Sequence, residues 1–353
     1  MNNYFIKKQD FADFINEISS DFRAFYLKDK PTQFDWKKGQ RKILCWQEYN
    51  GDLEGLVVGD IRAQDPLKQF IFAAQEVVSR DFNSPKRNQK PLLLIGAKNC
   101  DLTGLDVTDF VFMQGDFQDP FYIDRREQMF IISSDCTNPP ETCFCLALDI
   151  KPYPEKNYDL GICDVGEGYV LESVSQKAEK YISKHKSKFN PVTTAQLQRR
   201  DITRNNTIND LKVSIAKNNI PSKPQLNGVM KKGFESPLWK EEIKTCVECG
   251  CCNFICPTCH CFFLGDSKQQ NKDTRHKFWD ACLYKDFAQV AGGANPRKKL
   301  YQRLRNRYEK KFEFFPNVLG KIACTGCGRC ITGCPAKIDI RRILKNLVKE
   351  ASA

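Results

Sequence analysis

The sequence predicts an α+β protein, with a mixed α/β amino-terminal half followed by a helical, cysteine-rich carboxyl-terminal half. Three observations carry that prediction. From about residue 50 to 175, short apolar runs such as "PLLLIGA", "MFIIS" and "EGYVLES" are separated by Gly, Pro, Asn and Asp, as strands bounded by turns would be. Beyond residue 235 the β-branched runs thin out and helical character returns around cysteine motifs. Between the two, residues 181–240 carry twelve Lys or Arg against three Asp or Glu. The chain is therefore divided into an α/β domain over 1–175, a basic helix and linker over 176–240, and a helical domain over 241–353.

Taken in order, Phe11, Phe14, Ile15, Ile18, Phe22 and Phe25 recur at helical spacing behind Asp10, a residue type suited to an N-cap, and predict a first amphipathic helix. The runs "GLVVG", "PLLLIGA", "DFVFM", "MFIIS", "CFCLAL" and "EGYVLES" predict strands, and "DPLKQFIFAAQEVVSR" an intervening helix. Ile340, Ile343, Leu344, Leu347 and Val348 predict a closing amphipathic helix.

Bulk properties narrow the function classes. A chain of 353 residues has material for two or three domains. The start "MNNYFIKKQDFADF" lacks a signal peptide's apolar core, and no run approaches the roughly 18 apolar residues of a membrane span, so a cytoplasmic protein is expected. Eighteen cysteines without an export signal argue for metal ligation rather than a disulfide framework. The net charge of +12, concentrated in the basic segment, suits a solvated face or a docking strip for an acidic partner. Nucleic acid is not expected, because no binding motif accompanies the charge.

The strongest signal is "CVECGCCNFICP", where Cys246, Cys249, Cys252 and Cys256 fit C-x2-C-x2-C-x3-C-P. "CTGCGRCITGCP" repeats it with Cys324, Cys327, Cys330 and Cys334. This spacing holds [4Fe-4S] clusters, and in two-cluster ferredoxins the fourth cysteine ligates the other cluster. The expected ligand sets are Cys246, Cys249, Cys252 and Cys334 for one cluster, and Cys324, Cys327, Cys330 and Cys256 for the other. Paired zinc sites are the competing reading, but zinc gains nothing from a fourth cysteine followed by proline, twice. Gly250 and Gly328 stand where a larger residue would crowd a cube. The 67 residues between the motifs are helical in character, so residues 241–353 are expected to form a helical dicluster ferredoxin-like domain. Cys251, Cys259, Cys261 and Cys282 are surplus and are read as buried thiols.

The segments "GAKNCDLTGLDVTDFVF", "YIDRREQMFIISSDC", "ETCFC", "CPTCHCF", "FWDACLYKDFAQVAGGANPR" and "CTGCGRC", in this order, resemble an iron-sulfur subunit family shared by two systems, the anaerobic sulfite reductase and the cytosolic nickel-iron sulfhydrogenases, where it is the beta subunit. The likeness runs from about residue 90 to 340. It implies an electron-transfer protein that passes single electrons between a flavin- and nicotinamide-binding subunit and a catalytic hydrogenase or sulfite reductase subunit, with ferredoxin a further candidate partner. The chain itself is expected to bind neither flavin nor nicotinamide, since it carries no G-x-G-x-x-G after a strand and no phosphate-binding loop. With three histidines in all, His185, His260 and His276, no histidine-based catalytic site is expected, and His260 is read as a hydrogen-bonding neighbour of a cluster.

A third site is predicted in the α/β domain. Cys100 follows "PLLLIGA" and Cys136 follows "MFIIS", so both stand at carboxyl ends of strands; Pro139 and Pro140 would turn the chain and bring Cys143 and Cys145 back to the same edge. Four thiolates meeting there could hold a third [4Fe-4S] cluster, with zinc, a transient disulfide or unligated thiols as alternatives. Asp101 is the substitute ligand should Cys100 point inward, and Arg125 and Arg126 are candidate donors to cluster sulfurs. Three cubes would give about twelve irons per chain. Besides a relay, the residues allow a self-contained sulfur or disulfide reductase acting at the third site, or a docking scaffold.

Overall fold

The computed structural model describes residues 2–30, 43–84, 90–269 and 271–352. In chain order the strands are β1 (Asn2–Lys7), β2 (Arg23–Asp29), β3 (Leu44–Glu48), β4 (Gln75–Arg80), β5 (Leu92–Ala97), β6 (Phe130–Ser134), β7 (Leu160–Asp164), β8 (Gly168–Ser173), β9 (Asn190–Pro191), β10 (Phe262–Gln269) and β11 (Lys272–Trp279). Eight of them form one sheet in the order β3-β2-β5-β6-β7-β8-β1-β9. Its centre, β2-β5-β6-β7, is parallel, and the flanking pairs are antiparallel.

The central strands are apolar throughout because both faces are covered. On one face α1 (Lys8–Ile18) and α4 (Gln176–Lys184) pack Phe11, Phe14, Ile15 and Ile182 against Ile95, Ile132 and Leu160. On the other, α2 (Asn99–Met113) and α3 (Pro120–Gln128) set Leu105, Phe112 and Tyr122 against Leu94 and Ile131. The carboxyl-terminal half has its own core, in which Trp239, Leu304 and Tyr308 meet Ile343, Leu344 and Leu347 of the closing helix Ile340–Ser352.

The α+β class and the division into a sheet-rich amino-terminal and a helical carboxyl-terminal region are as expected, but several local elements differ. Helix α1 begins at Lys8, which puts Asp10 in its first turn rather than at the N-cap. It ends at Ile18, where the Ser19 and Ser20 hydroxyls donate back to the Asn16 and Glu17 carbonyls. Phe22 and Phe25, which extend the same spacing, lie in the following turn and in β2. "DFVFM" is the last turn of α2, not a strand, and "CFCLAL" contains a 3-10 turn at Cys145–Leu148. "GLVVG" falls outside the named strands. "DPLKQFIFAAQEVVSR" splits into a 3-10 turn at Leu67–Phe70 and β4. The insert between the cysteine motifs is only partly helical: β10 and β11 form an antiparallel ribbon, and β4 from the amino-terminal half adds a third strand to it.

Helix α5 (Thr194–Lys217), opened by a Thr193/Gln196 capping box, ties the basic segment to the sheet. Arg204 donates to both oxygens of Asp135 (2.7 and 3.1 Å) and of Glu172 (2.7 and 3.0 Å), and Arg200 to Glu172 at 2.8 Å. The Asp135 side chain is only 3% exposed. Removing one partner of such a pair strands buried charge, at a typical cost of about 3–5 kcal/mol. Arg204→Ala should therefore lower the unfolding free energy by about 3 kcal/mol in urea titrations, and adding Asp135→Asn should recover part of the loss.

Candidate metal centres

Each cysteine motif wraps a tight turn whose second cysteine is followed by a left-handed glycine. Gly250 (φ 70°, ψ −5°) leads into the helical turn Cys251–Phe254, and Gly328 (φ 70°, ψ −1°) into Arg329–Thr332. The repeat in sequence is thus a repeat in backbone geometry. Cys246, Cys249, Cys251 and Cys252 of the first motif line one cavity together with Cys330 and Cys334 of the second, so the two motifs meet there. Cys256 lies within electrostatic reach of Cys324 and Cys330, and Cys327 within reach of Cys330. Burial pushes the Cys324 and Cys330 thiols up to about 12.

Cys100, Cys136, Cys143 and Cys145 also meet around a single cavity. Strands β5 and β6 are parallel neighbours, so the chain leaves both at the same edge. Cys100 follows in the first turn of α2, and Cys136 lies two residues beyond β6. A turn closed by the Cys143 amide donating to the Pro140 carbonyl (2.8 Å) brings Cys143 and Cys145 back. Burial pushes the Cys143 thiol up to about 12.

The Cys143–Leu148 segment is not packed in the α/β core. Phe144, Ala147 and Leu148 belong to the core of the carboxyl-terminal half. The Phe144 amide donates to the Gly326 carbonyl at 2.8 Å, and the Cys143 thiol to the Cys327 carbonyl at 3.3 Å. A Cβ at Gly326 (φ +62°) would lie 2.6 Å from the Cys145 Cα, and one at Gly328 would lie 2.5 Å from the Thr142 carbonyl oxygen. The crowding read from Gly328 is therefore against this backbone segment; at Gly250 a Cβ would meet Tyr284 Oη and Ala281.

Basic residues that the motif reading missed surround the third cavity. Lys98, fully buried, donates to Ser134 Oγ (2.6 Å) and to the Asp135 (2.9 Å) and Gly59 carbonyls. Burial lowers its pKa to about 8, against the pull of Cys136. Arg62 Nε donates to the Cys327 carbonyl at 2.6 Å. Arg329 pairs with Asp101 at 2.7 Å and approaches the Cys100 sulfur at 3.9 Å. Lys98 and Arg329 leave a trace in the sequence only by adjacency, in "GAKNC" and "GCGRC", and Arg62 leaves none.

Three residues expected near the third site are engaged elsewhere. Asp101 is engaged by Arg329 and by the Leu67 amide, and does not line the cavity. Arg125 is held by Glu76 and the Ile71 carbonyl, and Arg126 by Asp109, so neither donates to the cysteines there. His260 donates Nδ1–H to the Thr258 carbonyl (3.0 Å) and sits edge-on to Phe315; burial lowers its pKa to about 4 and keeps it neutral. Cys251 lines the first cavity, whereas Cys259, Cys261 and Cys282 meet around a further one. Among the described residues no three His, Cys, Asp or Glu side chains converge as ligands of a single ion. The thiols instead ring cavities, and an all-sulfur donor set flanked by buried cations fits the anionic iron-sulfur clusters that the motifs call for.

These features define an iron-sulfur protein, and comparison with known families agrees. A 4Fe-4S dicluster domain matches residues 245–338, which implies [4Fe-4S] clusters in the carboxyl-terminal half. The chain is 29% identical over 253 residues to sulfhydrogenase 2 subunit beta of Pyrococcus furiosus, covering 71% of this chain and 72% of that protein. It is an iron-sulfur electron-transfer subunit related to that hydrogenase beta subunit. No helix among the described residues is long and apolar enough to cross a membrane.

The glycine contact is testable. Gly326→Ala adds a methyl group in left-handed backbone against the Cys145 main chain, and should cost about 2 kcal/mol or more. Anaerobic urea unfolding measures that loss, and iron assay should show fewer irons retained per folded chain.

Proposed function

We propose that this chain relays single electrons between a flavin- and nicotinamide-binding subunit and a catalytic hydrogenase subunit, and has no catalytic site of its own. The proposed ligands are Cys246, Cys249, Cys252 and Cys334 for one [4Fe-4S] cluster, Cys324, Cys327, Cys330 and Cys256 for a second, and Cys100, Cys136, Cys143 and Cys145 for a third. Bound clusters supply one-electron redox chemistry. The observation that carries the reading is the sharing of Cys327: it belongs to the second set and also lines the third cavity, where its carbonyl accepts from Cys143. That contact gives the two halves of the chain a continuous series of sites.

The surrounding residues suit a relay. Cys143 and Cys145 are buried, and Phe144 is 1% exposed, so substrate-sized molecules are kept from those thiols. Lys98, Arg62 and Arg329 bring positive charge to the third site, which favours the more negative, reduced state of whatever is bound there.

The experiment compares anaerobically purified wild type with Cys143→Ser. The variant should lose about four irons and one reducible spectral component, while the remaining clusters still accept electrons from dithionite. Equal iron in the two proteins would remove the third cluster. The isolated chain should show no turnover of sulfite, polysulfide or disulfide substrates with artificial donors; turnover would instead favour a self-contained reductase. Co-purification identifies the catalytic subunit, and a sulfite reductase in place of a hydrogenase would change the partner while leaving the relay intact.

A further inference from the structure

The three cysteines Cys259, Cys261 and Cys282 have no role in the sites above. Cys259 and Cys261 follow the first motif in "CPTCHC", and Cys282 comes from the segment after the ribbon strand β11. The fold brings them around one cavity, as it brings the four cysteines of the third site around another. The spacing is also repeated: Cys143-Phe-Cys145 is completed by cysteines distant in the chain, and so is Cys259-His-Cys261.

Each of the three sulfurs is approached by a different nitrogen donor. Arg307 Nη1 lies 3.4 Å from Cys259, Asn253 Nδ2 lies 3.1 Å from Cys282, and Lys310 Nζ lies 4.0 Å from Cys261. Asn253 also reaches Cys259 at 3.9 Å. Sulfur in these contacts is an acceptor, a role that a metal-bound thiolate fills well; the thiols also hydrogen-bond among themselves, Cys261 with Cys282 and Cys259 with Cys256.

The charge around the cavity points the same way. Arg307, Lys310 and Lys311 stand at i, i+3 and i+4 and so share one helix face, an arrangement that repels unless an anion offsets it. Arg307 and Lys311 are buried, and among the described residues neither forms a salt bridge to a carboxylate. Their partners are the Cys259 and Cys256 sulfurs, Thr258 Oγ1 and main-chain carbonyls. Buried Lys68 likewise caps the Asn253 and Cys259 carbonyls. Cations desolvated to this degree require negative charge nearby. The clusters proposed at Cys252 and Cys256 would offset part of it; Arg307 borders the first cavity as well as this one, whereas Lys310 approaches Cys261, which lies outside both sets.

We propose that Cys259, Cys261 and Cys282 anchor a fourth iron-sulfur cluster, seated between the dicluster motifs and the β-ribbon. Loading it exchanges three thiol protons for three iron–sulfur bonds.

The test counts iron and acid-labile sulfide in the full chain, purified anaerobically and reconstituted with iron and sulfide. Wild type should hold three or four irons beyond those of the three proposed clusters, and Cys261→Ser and Cys282→Ser should each lose that increment. Their loss should leave intact the four-iron step removed by Cys143→Ser, so failure here is separable from failure of the third site. Because either serine variant could unfold, wild type is also alkylated anaerobically with iodoacetamide before and after iron chelation. A cluster shields all three cysteines until the chelator is added. Labelling of Cys259, Cys261 and Cys282 before chelation, a disulfide between any two of them, or unchanged iron in both variants would overturn the proposal.

Discussion

The structure depends on the approach of two chain segments that lie far apart in sequence, the Thr142–Cys145 stretch and the Gly326–Gly328 loop. The backbones meet through Phe144 and Gly326 at a distance that leaves no room for a Cβ. The left-handed glycine serves two geometries at once: it lets the C-x2-C loop turn back on itself, and it clears the space into which the other half of the molecule inserts. The third cysteine set is consequently a joint product. Cys100 and Cys136 come from the sheet edge, whereas Cys143 and Cys145 are positioned by the carboxyl-terminal core.

Electrostatics then couples these sites to folding. Lys68, Lys98, Arg307, Lys311 and Arg329 are all buried; Arg329 forms a salt bridge to buried Asp101, and Lys98 feels Asp135 and Asp60 at longer range. Burial by itself keeps the Cys143, Cys324 and Cys330 thiols protonated and thus neutral. Cys256 and Cys282 differ: hydrogen bonds from Cys259 and Cys261, aided by Arg307, hold these two thiols low, so they match only part of the buried positive charge. Metal ligation converts the thiols to thiolates and supplies the missing negative charge, so cluster binding and stability of this region are linked.

The parts of this arrangement that follow local rules were legible in the sequence. The paired C-x2-C-x2-C-x3-C-P motifs identify their own chemistry, and the apolar runs ending at Cys100 and Cys136 identify the central strands, because a strand buried on both faces has no alternation to disguise it. Elements whose form is decided by distant contacts were not. "CFCLAL" is apolar because it enters the other half's core, not because it is a strand, and Phe25 continues the spacing of α1 only by coincidence after the serines have ended the helix. The basic residues at the sites were missed for a related reason. Arg62 and Arg307 carry no motif, and their roles arise only when the fold sets Arg62 against the Cys327 carbonyl, hundreds of positions away, and Arg307 against the Cys259 sulfur.

The same reasoning changes what the formal charge of +12 implies. In the basic segment the arginines and lysines divide by chemistry. Arg200 and Arg204 turn inward and form multidentate pairs with Asp135 and Glu172, a use that suits a planar, weakly hydrated guanidinium. Lys184, Lys186, Lys212, Lys217, Lys223, Lys231 and Lys232 stay exposed, as strongly hydrated ammonium groups do. Part of the positive charge is therefore structural, and a further part faces thiols that become anionic on ligation. The exposed lysines of this segment remain to act on a partner, and they run from the end of α4 along and beyond α5. Any electrostatic docking of an acidic protein would therefore be governed by these lysines, whose attraction weakens with ionic strength, while the arginines of the same helix maintain the fold that presents them.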